Sequence, residues 1–454
     1  MSDAVNKPRS NYLNPARVII LGSLAIILVG ALLLSLPVAS RGATGMPFLT
    51  ALFTSTSAIC VTGLAAVDTA LDWSLFGQIV IIILIQIGGL GFMSITTIAL
   101  LLMHKKIGLS QRLLIMQSMD LRSMQGVVRM IIHVMVRTLA IEGVGAAVLA
   151  WRFYPVYGLP GGIWMGIFHS ISAFCNAGFD LIGGRPPFSS LSVYAGDHIL
   201  CATFILLVFI GGLGFYVWED IWQTRSFKKL HLHSKLVLTI SAILIGAGWC
   251  LFMLFERTNP DTFGGMTFPD AAFAALFESI MPRSGGFSIV NQADLRGVSK
   301  LTVIIFMFIG GSAGSTAGGI KNVTAGILFI SAVNYLRGRN KVTVYGRTVP
   351  QQQITAAVSM LVIVLSVCFA GSAAISLIQP ELPLTGVLFE SMSAIAICGL
   401  SHGITPAFAP ASMVIIMLFM FFGRIGILTI GMATFMKRYV TEKVKYPDEW
   451  ILIG

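Results

Sequence analysis

Four glycines close four like-built stretches of this sequence, at Gly63, Gly178, Gly286 and Gly399, with intervals of 115, 108 and 113 residues. Each stretch carries a Phe followed two places later by Ser, at Phe53, Phe168, Phe277 and Phe389. The glycine follows that Phe by ten residues in three copies and by nine in the third. Glycine permits φ values that residues with side chains resist, so consecutive carbonyls can turn toward one axis there. Carbonyl oxygens arranged in a ring can replace the hydration shell of a monovalent cation. The chemistry these residues suit is ion coordination by backbone. Its candidate positions are Cys60, Val61, Thr62 and Gly63; Cys175, Asn176, Ala177 and Gly178; Arg283, Ser284, Gly285 and Gly286; and Ala396, Ile397, Cys398 and Gly399. One such glycine alone would more simply ease helix packing, as small residues do in membranes. Four in one frame, after four matched lead-ins, favour a filter.

A second set of small residues follows each first one. Gly88-Gly89-Leu90-Gly91, Gly211-Gly212-Leu213-Gly214, Gly310 to Gly319 and Gly423-Arg424-Ile425-Gly426 begin 25, 33, 24 and 24 residues after their filter glycines. In three copies the small residues suit close helix packing. The third differs in kind: Gly310, Gly311, Ser312, Ala313, Gly314, Ser315, Thr316, Ala317, Gly318 and Gly319 favour neither stable helix nor lipid contact. The expectation is an unwound loop inside the membrane, below the filter, able to move at little steric cost and so to gate the path. Lys321 directly after it and Arg424 in the last apolar run are costly in lipid, which makes both functional candidates. Arg424 should hold the loop shut through its carbonyls or act as an electrostatic brake on cations. Lys321 either joins it or snorkels to the interface.

The elements that must position these residues are membrane helices. The chain is 56% hydrophobic and 11% charged, against roughly 25% charged for a soluble domain. Spans of about 20 apolar residues, enough to cross roughly 30 Å of hydrocarbon, fall near 18–38, 75–103, 128–151, 198–221, 236–254, 301–335, 354–377 and 412–436. The apolar stretches leading into the four filter glycines are too short to cross, which marks them as re-entrant helices. The expected fold is all-α and integral to the membrane, with eight transmembrane helices plus four re-entrant pore helices. Four span–pore helix–span repeats, residues 1–104, 105–222, 223–337 and 338–454, surround one pore, and the third contains the gating loop 310–320. Non-helical backbone at membrane depth needs a shared, wet pathway to satisfy its amides.

The net charge of +11 is topological rather than a nucleic-acid footprint. Lys7, Arg9 and Arg17; Lys105, Lys106, Arg112 and Arg122; Arg225, Lys228, Lys229 and Lys235; Arg337, Arg339, Lys341 and Arg347; and Lys437, Arg438, Lys443 and Lys445 fall on one side if the chain crosses eight times. The positive-inside rule makes that side, with both termini, cytoplasmic. The opposite loops hold nine acids, among them Asp68, Asp180 and Asp270, and six bases. Such a mouth is modestly negative and concentrates cations. The basic start and first apolar run imitate a secretory signal, but the run exceeds the 7 to 15 residues typical of one, so it reads as an uncleaved span.

Other chemistries find little support. The six cysteines form no CxxC pair or metal-ligand spacing, and Cys60, Cys175 and Cys398 read as buried, inert thiols. No two of the seven histidines share a metal motif, and no acid–base constellation occurs in mid-span, so an enzyme is not indicated. Glu278 and Glu390 share the position after Phe, where His169 and Thr54 stand in the other copies. They are expected near the starts of their pore helices, where the dipole favours a carboxylate. The competing transport reading is an alternating-access secondary transporter of sodium or another small cation, for which broken helices near the midplane are also the sign. Such folds carry inverted or paired halves, whereas these four repeats run alike.

The four glycine loops, the run from Gly310 to Lys321, Gly423-Arg424-Ile425-Gly426 and the ending from Lys445-Tyr446-Pro447-Asp448 to Gly454 resemble the Trk/Ktr/HKT superfamily, specifically the membrane subunit of a Ktr potassium transporter. The resemblance covers nearly the whole chain. It implies potassium as the transported ion at the filter, a homodimer in the plasma membrane, and a cytosolic ring of nucleotide-binding RCK subunits, with nucleotides bound only by that partner. It also implies gating by the third-repeat loop together with Arg424, a tail at the dimer interface, and sodium as an activator. No covalent cofactor is implied. Cys175, Cys398 and the glycine-rich Ser284-Gly285-Gly286 depart from what the filter loops of this family lead one to expect, which leaves selectivity open. In plant relatives a serine at the first filter glycine goes with sodium; Gly63 is intact here, which favours potassium.

Overall fold

The computed structural model describes residues 15–42, 45–91, 127–182, 188–339 and 341–426. Helices build nearly all of it: α1 (Pro15–Ser35), α2 (Phe48–Cys60), α3 (Thr69–Asp72), α4 (Leu75–Leu90), α5 (Val127–Phe174), α6 (His198–Gly212), α7 (Phe215–Thr224), α8 (Leu232–Glu256), α9 (Phe268–Ile280), α10 (Gly297–Phe308), α11 (Asn322–Leu336), α12 (Gln351–Ile378), α13 (Leu384–Ala396) and α14 (Pro410–Ile425). A short hairpin, β1 (Thr343–Val344) against β2 (Arg347–Thr348), pairs Thr343 with Thr348. Among the described residues α1, α5, α8 and α12 are long and apolar enough to cross a membrane, and α6 with α7 would make a fifth span bent by 93°.

The surface is apolar where a soluble protein would be polar. On α1, Leu21, Val29 and Leu32 are 63%, 56% and 59% exposed, an outward face that only lipid solvates favourably. Polar side chains turn inward instead. Ser55 Oγ on α2 donates to Ile27 O of α1 at 2.7 Å, and Ser170 Oγ donates to Glu142 O at 2.7 Å. These are the serines of the repeated Phe-x-Ser motif, and they fasten a pore helix to the span before it. The partnering phenylalanines, Phe53, Phe168, Phe277 and Phe389, are fully buried.

α2, α9 and α13 each have 13 residues, about 20 Å of helix, short of the roughly 30 Å hydrocarbon core. The fourth short helix continues directly from the long span: α5 breaks at Gly158, whose φ of 69° lies outside helical space. The repeats close into a ring, since α4 packs on α5, α6 on α9, α10 on α13, and α14 back on α2.

Three features refine or correct the sequence expectations. The inner glycine motifs end helices in the other repeats as well as the third: Gly91, Gly214 and Gly426 have φ of 82°, 94° and 85° and stand at helix ends, with the residues after Gly91 and Gly426 outside the described ones. Left-handed backbone is open to glycine at little cost, and the expected close packing is present beside it: a Cβ on Gly89 would lie 2.6 Å from Cys175 Sγ and one on Gly211 2.7 Å from Asn176 Oδ1. Glu278 sits in the last turn of α9 and Glu390 in the middle of α13, not near their starts. The third pore helix begins earlier because Thr267 caps it, accepting from the Asp270 amide at 3.4 Å, and ends earlier because Pro282 cannot continue it. The span over 301–335 is interrupted as expected, two helices being separated by non-helical residues 309–321. The basic clusters at Lys7 and Arg9, at Lys105 to Arg122 and at Lys437 to Lys445, with the tail, lie outside the described residues.

Candidate ion pathway

The four glycines meet. A Cβ added to Gly178 would lie 2.8 Å from Gly286 Cα, one on Gly286 2.8 Å from Cys398 O, one on Gly399 3.2 Å from Gly286 Cα, and one on Gly63 3.1 Å from Gly178 Cα. Cβ atoms on Gly63 and Gly399 would also strike Ala177 O and Thr62 O. Each repeat therefore abuts the next around one centre, with no room for a side chain at any of the four positions.

The backbone is the same in all four turns. Gly63, Gly178, Gly286 and Gly399 have φ of 94°, 71°, 74° and 93°, and the residue two before each, Val61, Asn176, Ser284 and Ile397, has φ of 59°, 60°, 67° and 54°. The residues between, Thr62, Ala177, Gly285 and Cys398, are not left-handed. Alternation of left- and right-handed residues brings successive carbonyls to one side of a strand. For branched Val61 and Ile397 this backbone is strained by about 1–3 kcal/mol, a cost that surrounding structure must override.

A shell of side chains does so. Four residues after the Phe, Ser57 Oγ accepts from Gly63 N at 3.1 Å, Ser393 Oγ accepts from Gly399 N at 3.0 Å, and Ser172 Oγ donates to Phe179 O at 2.6 Å. The third repeat has Met281 there, whose carbonyl takes the Gly285 amide at 2.7 Å, a tighter turn that matches its one missing residue. In three copies the residue after the Phe braces the strand beyond the glycine, while Thr54 in the first donates to Thr50 O at 3.0 Å within its own helix. His169 Nε2 accepts from Leu181 N at 3.1 Å, so its proton sits on Nδ1 and is donated to Met165 O at 2.7 Å. Glu278 accepts from Ile289 N at 3.1 Å and Gln292 Nε2 at 2.9 Å, and Glu390 from His402 N at 2.9 Å and Thr405 Oγ1 at 2.8 Å. In each case the partner amide lies three residues past the filter glycine. These carboxylates hold backbone.

The residues 310–320 form a closed loop against the inner side of these turns. Gly310 N donates to Ile320 O at 2.9 Å and Asn322 N to Gly311 O at 3.0 Å, which clamps the base. The broken second span of repeat two supplies the next contacts: Ser312 N donates to Gly212 O at 3.0 Å and Phe215 N to Gly314 O at 2.8 Å. The filter turns supply the rest. Thr316 Oγ1 donates to Asn176 Oδ1 at 3.1 Å, Gly318 N donates to Ser284 Oγ at 3.1 Å, and a Cβ on Gly318 would meet Ile397 Cδ1 at 2.8 Å. Arg424 Nη1 donates to Thr316 O at 2.8 Å while its Nη2 reaches the carbonyls of Gly88 and Gly89. Lys321 Nζ folds back to Ala317 O at 2.9 Å. The loop is thus held by bonds to segments 105–222 and 338–454 as well as to its own, and moving it costs those bonds.

The sequence profile of TrkH, described as a cation transport protein, matches residues 24–439. The potassium/sodium uptake protein NtpJ of Enterococcus hirae is 36% identical over 446 residues, covering 97% of this chain and 98% of that one. The chain belongs to the TrkH cation-transport family. The Ktr system potassium uptake protein B of Bacillus subtilis is 35% identical over 440 residues, 97% of each chain. The potassium transporter TrkH of Vibrio parahaemolyticus shares the fold, with a TM-score of 0.71 at 17% identity over 94% of this chain and 85% of that structure.

Several residues around the pathway of this TrkH-family chain escape sequence reasoning. Arg283, placed with the filter by its position, turns away: its Nη2 donates to Ser241 Oγ at 3.1 Å, and Asn322 Nδ2 reaches the same oxygen at 3.1 Å. The three thiols near the filter are buried. Cys398 Sγ points at Pro282 O, 3.1 Å away, and Cys175 Sγ at Gln86 Oε1, 3.5 Å away. Glu142, mid-span in α5, obeys the same rule about intramembrane charge that singled out Arg424, and was legible on that ground alone.

Proposed function

We propose that this chain is the ion-conducting membrane subunit of a potassium uptake system, arranged as eight transmembrane helices and four re-entrant pore helices in the repeats 1–104, 105–222, 223–337 and 338–454. One observation carries the reading: four turns of identical handedness, one from each repeat, converge on a single centre with their glycines in contact. Backbone carbonyls of Val61, Thr62, Asn176, Ala177, Ser284, Gly285, Ile397 and Cys398 would stand in for the water shell of a potassium ion, the transported substrate. The C-terminal ends of the pore helices add partial negative charge on the inner side, which favours cations.

Conduction is gated by the loop 310–320. The hydrogen bonds of Thr316 and Gly318 to Asn176 and Ser284, and of Arg424 to Thr316, support a closed position across the inner end of the filter, where the guanidinium opposes a cation by charge as well. Opening requires the loop to leave those partners. Two like chains form the working dimer, both termini lie in the cytoplasm, and a cytosolic ring of nucleotide-binding subunits supplies the energy to move the loop, with sodium as a stimulating ion. The names of the relatives from Enterococcus hirae and Bacillus subtilis support potassium and sodium as the ions concerned.

The test is uptake of rubidium or potassium by purified protein in liposomes, with and without a sodium gradient, comparing the native chain with one in which Gly310 to Gly319 is shortened. A gated pore runs faster after the shortening. An alternating-access carrier stops.

A further inference from the structure

Behind the second filter turn three side chains from separate segments meet: Gln86 on α4, Glu142 on α5 and Cys175 at the end of the pore helix. Glu142 is 5% exposed. Gln86 Nε2 lies 3.2 and 3.1 Å from its two carboxyl oxygens, and Gln86 Oε1 accepts from the Cys175 thiol at 3.5 Å. The hydrogen bonds that reach this carboxyl come from neutral groups, so nothing about it resembles a structural ion pair. An intramembrane carboxyl with that company is costly to keep.

Its geometry joins the filter to the break in α4. Glu142 holds the second pore helix twice, through Ser170 Oγ on its backbone carbonyl at 2.7 Å and through Gln86 and Cys175 on its side chain. Gln86 in turn lies two residues before Gly88, whose carbonyl receives Arg424. The end of α4 is pressed on the same thiol, since a Cβ on Gly89 would come 2.6 Å from Cys175 Sγ. Of the four filter turns, the second is thus the one whose rear is set by a carboxyl–amide–thiol relay.

We propose that Glu142 is a positioning residue for ion selection: through Gln86 and the Cys175 thiol its carboxyl fixes how far the second filter turn stands from the other three. Ring spacing sets how well carbonyls fit a dehydrated ion, so the residue acts on affinity and on potassium against sodium. The inference rests on the carbonyl-filter reading.

The experiment is rubidium uptake into liposomes by the purified full-length protein, with potassium or sodium as competitor, for wild type, Glu142→Ala, Gln86→Glu and the exchanged pair Gln86→Glu/Glu142→Gln. Removing the support of a coordinating group typically weakens ion affinity about tenfold or more. Glu142→Ala and Gln86→Glu should therefore raise the half-saturating potassium concentration by about that factor and lose discrimination against sodium. The exchanged pair, in which amide and carboxyl trade places, should recover both. Unchanged half-saturation and selectivity in the single variants, or a fall in folded yield with no recovery in the exchanged pair, overturns the proposal. Where Glu142→Ala fails to assemble, Gln86→Glu against the exchanged pair decides by itself. Wild-type protein that shows no potassium-selective flux would instead overturn the filter reading beneath it.

Discussion

The amide of Gly318 donates to Ser284 Oγ at 3.1 Å, so the loop 310–320 and the turn before Gly286 share one hydrogen bond. Ser284 is itself left-handed, with φ of 67°, and that backbone aims its hydroxyl at the loop. A neutral hydrogen bond of this kind contributes about 1 kcal/mol net. Ser284→Ala should therefore shift the closed loop toward its open position and raise basal rubidium uptake roughly fivefold. Liposome flux without any regulatory subunit measures it, and uptake at or below the native rate would count against a latch at this site.

Arg424 should matter more. It bridges Thr316 O of the loop and the carbonyls at the end of α4 with one planar group. Arg424→Ala removes the bridge and the buried positive charge together and should leave flux high and insensitive to regulation. Arg424→Lys should behave closer to the alanine variant than to the native chain, because an ammonium cannot present the fork that spans both sets of carbonyls. Flux that keeps both its rate and its dependence on a regulatory component in Arg424→Ala would refute the assignment.

At the filter, Gly63→Ser places a Cβ where Ala177 O stands, on a residue whose φ is 94°. The first turn must move outward, which widens the ring. Discrimination of potassium over sodium, read from competition against rubidium uptake, should fall while the protein still conducts. A serine variant with native selectivity would show that this turn does not contact the ion.

The outer mouth carries a pH response. Asp180, two residues beyond Gly178, is half-buried, and loss of hydration there raises its carboxyl from 3.8 to about 6, with nearby Asp68 adding in the same direction. Because the folded value lies above the ordinary one, ionising Asp180 works against the fold: its stabilising contribution is complete below about 3.8 and is lost as pH rises toward 6. For ion uptake the sign reverses, since the ionised form attracts cations. External acidification through about 6 should raise the half-saturating potassium concentration, and Asp180→Asn should flatten that step and weaken the pH dependence of the unfolding temperature over the same range.

Much of this arrangement is written in the sequence as repetition. The Phe-to-glycine spacing, the short lead-ins and the Gly310–Gly319 run identify the turns and the loop because each depends on local backbone needs that residue type reveals. The unwound loop and Arg424 come together as the residue chemistry requires, for a carbonyl-rich loop and a buried guanidinium each need what the other offers. What local pattern does not reveal is company across repeats. Glu278 and Glu390 looked like helix-start carboxylates, yet both brace amides three residues beyond the glycine; for Glu278, Thr267 and Pro282 set the bounds of α9 that leave it in the last turn. Gln86 and Glu142 are 56 residues apart, and only the fold sets them behind Cys175. The inner glycines at 88–91, 211–214 and 423–426 pack closely, as their residue type suggests, but only the fold shows that Gly91, Gly214 and Gly426 also stand at helix ends with left-handed backbone.

The central claim is that carbonyls at 61–62, 176–177, 284–285 and 397–398 coordinate a dehydrated alkali ion. Crystals grown in rubidium or thallium salts and measured at the absorption edge of that ion test it most directly. The account predicts anomalous peaks on the axis that the four glycines surround, each ringed by backbone oxygens from all four repeats. Peaks held elsewhere by side chains, with none on that axis, would contradict it.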